Sequence, residues 1–482
     1  MIHNYLKSSW RNLRRDVSYS LINIFGLAVG IAACLMISLY IIDELSYDKF
    51  HEKSDRIYRL YVDGQFGNNK FLSPYIPNPA KDVLLDEYSQ IESATHFFDT
   101  DQLRFEYANK VFIEDRVFYA DSDFFEVFSF PMVKGEAKEA LSKPNQVVLA
   151  ESAARKYFGD EDPMGKMIKV NKDDLFQVTG VCEDVPDNSH FHFNYLLSYS
   201  SSNVSKDPRW INSSVYTYFV LTEGVDPINF EEQLELLVEK YIGPEVADFM
   251  GVNLEEFESR GNSFGFFLQP LEDIYLHSDF NDEIEPVSSI TRIWYFSIIA
   301  FFILLIACIN FMNLATAKYA NRAKEVGIRK VIGSKRKQLV SQFLIESILI
   351  SSLAVVLSIV LVELFLPGFN NIAQKSLELQ YFTNWYVLPV LIGLAVIVGV
   401  IAGIYPAFFL SSFSPLKILK GKINKGVKGD RMRGALVVSQ FIITIVLFIS
   451  TYIIYQQNSY MTNKKLGFDK EKVLVLERAY YL

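Results

Sequence analysis

His190 and His192 stand two apart in the run SHFHF. On a strand that spacing turns both imidazoles to one face, as a metal pair would need. A typical site takes at least three protein ligands, and spacing offers no third, so the pair reads as structural, at the start of a strand. The stretch GDEDPMGKM, 159–167, approaches a phosphate-cradling loop. The G-x-x-x-x-G-K-[ST] pattern needs four residues between its glycines and a hydroxyl after its lysine. Here five intervene and Met167 replaces the hydroxyl, so these residues are not expected to hydrolyse ATP, and no cofactor is expected in this chain. No serine, cysteine or carboxylate arrangement suggests catalysis, and no nucleic-acid partner is expected. Glu346 lies early in an apolar run, where a charge is costly. It reads as structural, within reach of the interface or of Lys335 and Arg336.

The remaining chemistry is electrostatic. KEVGIRKVIGSKRKQL, 324–339, carries six lysines and arginines against Glu325. On a helix, Ile328, Val331 and Ile332 form one apolar stripe, with Lys324, Arg329 and Lys330 on other faces. Gly333 is a stop signal, and Ser334 can cap the helix that follows. Such a helix can lie on anionic membrane lipid or enter a groove on a cytosolic partner, and the residues alone leave both open.

The elements that must position this segment are apolar runs at roughly 20–42, 293–317, 340–365, 387–410 and 435–456. Each is near the about 20 residues that a membrane span requires. A cleaved leader competes for the first, but its core is too long and no small-residue cleavage site follows. Residues 1–19, 318–338 and 411–434 hold nineteen basic residues and three acidic ones, whereas the rest of the chain holds 28 and 53. Short basic loops stay cytoplasmic. The expected topology therefore has 1–19, 318–338 and 411–434 inside, and 43–292, the 366–386 loop and the tail 457–482 outside. Gly26-xxx-Gly30 in the first span and Gly399-xxx-Gly403 in the fourth suit close helix packing, although glycine is also simply common in spans. Pro406 is expected to kink or end the fourth.

The region 43–292 alternates strand and helix signals. RIYRLYVDG, KVFIEDRVFYAD, FQVTGVC and SVYTYFVL read as strands. DSDFFEVF reads as a short helix capped by Asp121 or Ser122, NQVVLAESAARKYFG as strand then helix, and DPINFEEQLELLVEKYI as a helix. Their irregular order suggests α+β. Cys182 is the one cysteine outside the spans, so no internal bridge is available to this domain. RMRGALVVSQFIITIVLFISTYIIYQQ, from Arg431, echoes the N-terminal pattern of basic residues, span and Tyr-Ile-Ile. It reads as the start of a second repeat unit, which suggests a truncated or partial product ending at Leu482; the alternative is a true terminus with a short external tail. The fold class is thus a multi-span α-helical membrane protein with an inserted α+β extracytoplasmic domain.

AKEVGIRKVIGSKRKQLVSQFLIESILI, 323–350, resembles the characteristic segment of the MacB/FtsX-type ABC transporter permease family. The matching positions are Glu325, Val326, Gly327, Ile328, Arg329, Lys330, Gly333, Ser334 and Glu346. GIYPAFFLSSFSPLKILKG, 403–421, is similar to the segment after the family's fourth span. VVLAESAARKYFGDEDPMGKMIKV, 147–170, and VPDNSHFHFNYLLS, 185–198, resemble its extracytoplasmic domain. The resemblance implies that Glu325, Val326, Gly327, Ile328, Arg329, Lys330 and Gly333 form a coupling element on a separate cytosolic ATPase, which would hold the ATP and Mg. It implies a second permease unit, by homodimer or internal repeat, and a periplasmic adaptor or substrate protein as a further partner. The chain would be a non-catalytic subunit of the cytoplasmic (inner) membrane, for export or extracytoplasmic mechanotransmission. The rivals are a signalling or cell-wall regulator using the same lever, and an ATPase-independent membrane sensor whose basic helix meets lipid.

Overall fold

The computed structural model describes residues 2–171, 174–321, 328, 330–379, 384–411 and 427–464. Contacts divide the chain into two compact units, residues 1–40 with 295–482, and residues 41–294. Five helices, Val17–Glu44, Ile290–Asn321, Arg336–Ala373, Val387–Ser411 and Val427–Asn463, are long and apolar enough to cross a membrane. They cover the five apolar runs and extend several residues beyond most run ends. A polar helix, Ile2–Arg15, precedes them and buries Ser9 and Leu13 while leaving Lys7, Trp10, Arg11 and Arg14 exposed.

In the helical unit, small residues set the approach of neighbouring helices. A methyl added at Gly30 would lie 2.5 Å from the Ala307 Cβ. One at Gly399 would lie 2.5 Å from Ser351 Oγ and 2.7 Å from the Ile348 Cα, and one at Gly403 2.6 Å from Ser347 Oγ. Side chains do not tolerate such distances, so glycine lets the backbones meet. Gly26 differs, because its added methyl would make an ordinary 3.5 Å contact with Asn310. Ser351 Oγ also donates to the Ala395 carbonyl at 2.6 Å, tying Arg336–Ala373 to Val387–Ser411. Pro406 does not end its helix, which runs on to Ser411. In the last helix, Val427–Asn463, none of residues 431–463 is buried.

The second unit is built on one fourteen-stranded sheet. Its strands are β1 (Ile57–Phe66), β2 (Asn69–Ser73), β3 (Tyr75–Pro77), β4 (Ile91–Asp99), β5 (Leu103–Tyr107), β6 (Lys110–Glu114) and β7 (Val117–Ala120). They continue with β8 (Met132–Lys134), β9 (Gln146–Ala150), β10 (Met167–Val170), β11 (Asp174–Cys182), β12 (Tyr195–Ser198), β13 (Ser213–Leu221) and β14 (Ser263–Pro270). The order is β14-β1-β13-β4-β7-β12-β9-β11-β10-β5-β6, with β2, β3 and β8 pairing off this path. Only β9/β11 and β7/β12 are parallel among the described pairs. This is the α+β arrangement expected of the alternating signals.

Three apolar clusters hold the unit together. The first is aromatic: Phe97, Phe124, Phe128, Phe191 and Phe193 are all at most 1% exposed. Burying a phenylalanine side chain contributes about 1.5–3 kcal/mol, so this cluster gives a chain without disulfides much of its stability here. The others lie around Leu60, Phe219 and Phe266 and around Val147, Tyr157 and Phe176. KVFIEDRVFYAD is two strands, because Arg116 turns the chain with φ +55. Asp121 does not cap the helix Phe124–Val127, for which Asp123 is the N-cap residue. The Asp121 carboxylate accepts from Lys81, Thr95 and the His96 backbone, and from Asp123 N–H at 3.0 Å just before that helix.

Candidate functional site

The basic segment is described at Ile328 and from Lys330 onward; Glu325, Val326, Gly327 and Arg329 lie outside the described residues. Ile332 N–H donates to the Ile328 carbonyl at 3.1 Å, and Gly333 N–H to the Lys330 carbonyl at 3.1 Å. One helical turn therefore ends at Gly333, whose φ of +104 favours glycine. Ser334 is not the cap of the next helix. Lys335 occupies the N-cap position of Arg336–Ala373, and its N–H donates to Gln338 Oε1 at 2.9 Å. A reciprocal bond from Gln338 N–H to the Lys335 carbonyl closes the turn.

This geometry leaves an apolar ridge in a basic setting. Ile328, Val331 and Ile332 are 45%, 62% and 79% exposed. Lys335, Arg336 and Lys337 follow within the next turn. Partial burial, then the Arg336 charge, hold the Lys330 ammonium below its usual range. Burying those three side chains would supply roughly 1.5–3 kcal/mol for each one fully covered. The ridge joins a helix that is fixed along its length, since Glu346, Ser347, Ile350 and Ala354 are buried and Gly399 and Gly403 pack on its serines. A force applied at Ile332 therefore has a stiff element to act on.

The histidine pair separates. Both residues precede β12 in a loop, not on a strand. His190 Nδ1 meets Asp48 Oδ1 at 2.8 Å and Nε2 meets Tyr218 Oη at 2.8 Å, all buried. His192 bonds Glu285 and the Pro186 carbonyl. Tyr218–His190–Asp48 has the connectivity of a proton relay, but Tyr218 is fully covered and cannot meet a substrate. Beside it, Arg59 donates twice to Glu283 at 2.6 Å and once to Gln269 at 2.6 Å. Burial would raise the Glu283 carboxyl, but the Arg59 bonds and charge hold it below its ordinary range. These groups connect β1, β13 and the 278–285 segment, joining stretches more than 200 residues apart that spacing could not pair. Among the described residues no three histidine, cysteine or carboxylate side chains converge as metal ligands would.

Two family models match the chain. Residues 20–237 match the MacB-like periplasmic core domain, and residues 297–415 the FtsX-like permease C-terminal domain. The chain is 26% identical over 280 residues to the macrolide export ATP-binding/permease protein MacB of Bdellovibrio bacteriovorus, covering 57% of this chain and 38% of that protein. It is 23% identical over 412 residues to MacB of Pasteurella multocida, covering 83% and 57%. It thus spans less than two thirds of the length of either relative. The crystal structure of the periplasmic region of MacB from Actinobacillus actinomycetemcomitans is 20% identical, covering 46% of this chain and 91% of that one, with a TM-score of 0.32.

Proposed function

We infer, from its membership of the MacB/FtsX-type ABC transporter permease family, that this chain works as the permease part of an ATP-driven complex. ATP and Mg are bound outside these 482 residues, by an ABC ATPase that docks on the 324–339 segment. The chain sits in the cytoplasmic membrane with its N-terminus inside and residues 43–292 outside. Nucleotide-driven closure pushes on the ridge of Ile328, Val331 and Ile332, and the stiff helix Arg336–Ala373 carries the displacement onward. The result is export, or a mechanical signal to an extracytoplasmic adaptor or substrate protein. A second permease unit completes the complex.

The observation that carries this reading is the exposed ridge itself. Apolar residues at 45–79% exposure on a tethered basic turn fit a groove on a protein. Lipid binding alone would not need the turn fixed by Gly333 and Gln338 to a packed helix. The test is Ile332→Asp with Ile328→Asp in membranes that contain the cognate ATPase. The doubly substituted chain should reach the membrane at normal levels, yet lose co-purification of the ATPase and stimulation of its hydrolysis. Unchanged stimulation would refute docking through the ridge.

A further inference from the structure

The outer unit has an open sheet edge inside an acidic groove. β14 ends the strand order, so one of its sides pairs with β1 and the other has no strand among the described residues. The facing side can be read from hydrogen bonds. Leu268 N–H points away from β1 and donates to Glu231 Oε2 at 2.7 Å. In an antiparallel pair the outward residues alternate, so Phe266 and Phe264 also turn their N–H and C=O outward. The β1/β2 hairpin agrees, because Val62, Gly64 and Phe66, opposite Phe266, Phe264 and the strand end, bond toward β2. Neither Phe264 nor Phe266 has a partner for these outward groups among the described residues. Buried or half-buried main-chain groups usually find partners, and Phe266 is only 3% exposed.

The groove along this edge holds about 1130 Å³ and is lined by Glu231, Glu232, Glu235, Glu239, Glu255 and Glu258. Residues 264–267 of β14 also line it, with Val238, Asn253 and Leu254, and no lysine, arginine or histidine does. One wall passes through a π-helical turn, Val238–Ile242, a distortion found often at functional sites. Glu231 already stands where the carbonyl of a further strand would accept from Leu268.

We propose that β14 accepts an extended, cationic polypeptide segment of a partner protein as an added strand. The outward N–H and C=O of half-buried Phe264 would give about two main-chain hydrogen bonds, and those of Phe266 would add up to about two more as the side chains that cover it give way. Side chains of the added strand alternate between faces, so every second residue meets the glutamates and is lysine or arginine. A second copy of this chain pairing edge to edge would set glutamates against glutamates, and anionic lipid would be repelled. This inference does not depend on the permease reading, because it concerns only the outer unit.

The test uses the whole chain in nanodiscs of zwitterionic lipid, with empty discs as the blank. The probes are a short fluorescent peptide alternating lysine and valine, its glutamate–valine counterpart, and the lysine–valine peptide N-methylated at alternate residues. The lysine–valine peptide should bind and the acidic one should not. N-methylation, which removes the pairing N–H groups, should weaken binding roughly tenfold or more. Glu235→Gln/Glu239→Gln/Glu255→Gln/Glu258→Gln should do the same, with an unchanged melting temperature, since all four side chains are exposed. Equal binding of the N-methylated and parent peptides would reduce the site to charge attraction and overturn the proposal. So would equal binding by the quadruple variant, absence of binding above empty discs, or self-association through this edge.

Discussion

His51 should make the outer unit sensitive to acid. Its ring is 2% exposed and lies against Phe50, Phe128 and Phe130, with centroids 4.1–5.3 Å apart. Nδ1 accepts a hydrogen bond from Ser129 N–H at 3.1 Å, so the neutral ring is the one that fits. Burial lowers its pKa to about 4; Asp48 opposes the shift and His190 adds to it. The folded pKa lies below the ordinary 6.5, so protons bind the unfolded chain more readily. Stability is then full above about pH 6.5, falls as pH drops, and levels off below about pH 4. Between about pH 7.5 and pH 5 the loss from this residue is about 2 kcal/mol, or about 4–8 °C in Tm for a unit of this size. The assay is thermal unfolding of the full chain, comparing wild type with His51→Asn, whose amide oxygen can take the Ser129 bond without titrating. The wild type should lose about 2 kcal/mol more than the variant over that range. Parallel pH profiles would show that His51 keeps a normal pKa and that the reasoning from burial is wrong.

Three further outcomes follow from particular contacts. Arg59→Met should destabilise the outer unit by roughly 3–5 kcal/mol in denaturant melts, because Glu283 is left buried and unpaired; adding Glu283→Leu should recover most of it. Gly403→Leu should destabilise by about 1–3 kcal/mol and weaken cysteine cross-linking between Arg336–Ala373 and Val387–Ser411, whereas Gly393→Leu, with open space around its added methyl, should change little. Cys182 is fully buried with its thiol pushed up to about 12 by burial, so a thiol reagent at neutral pH should label it only as the unit unfolds; rapid labelling of Cys182 in the native chain would contradict that.

The fold class was legible because its signals are local. About 20 apolar residues in a row, or the aromatic alternation of β1 and β13, can be read within one window. The 227–250 segment was less so. DPINFEEQLELLVEKYI reads as one helix, but the chain breaks into α, 3₁₀, α and π turns before resuming at Gly243. The helix pattern survives the break, since Phe230, Leu234, Leu237 and Ile242 still face the core. What could not be read are partners distant in sequence. Nothing near Arg59 indicates Glu283, nothing near His190 indicates Asp48, and Asp121 looked like a cap because Lys81 is forty residues away. The two Gly-xxx-Gly pairs look alike, yet only their facing residues reveal that Gly30 needs its hydrogen and Gly26 does not. The open edge of β14 left no mark in the sequence, because edges are a property of strand order.

Docking of an ATPase at the inner face of the membrane stands or falls on the sidedness and partner of the ridge. Ile332→Cys, in a chain whose native cysteines are replaced, would be probed in intact cells with a membrane-impermeant maleimide and in open membranes with a thiol-reactive photo-crosslinker. No labelling from outside is expected, and the crosslink should go to a subunit carrying a Walker loop and change with nucleotide. Labelling of intact cells, or crosslinks to lipid alone in the presence of the ATPase, would contradict such docking.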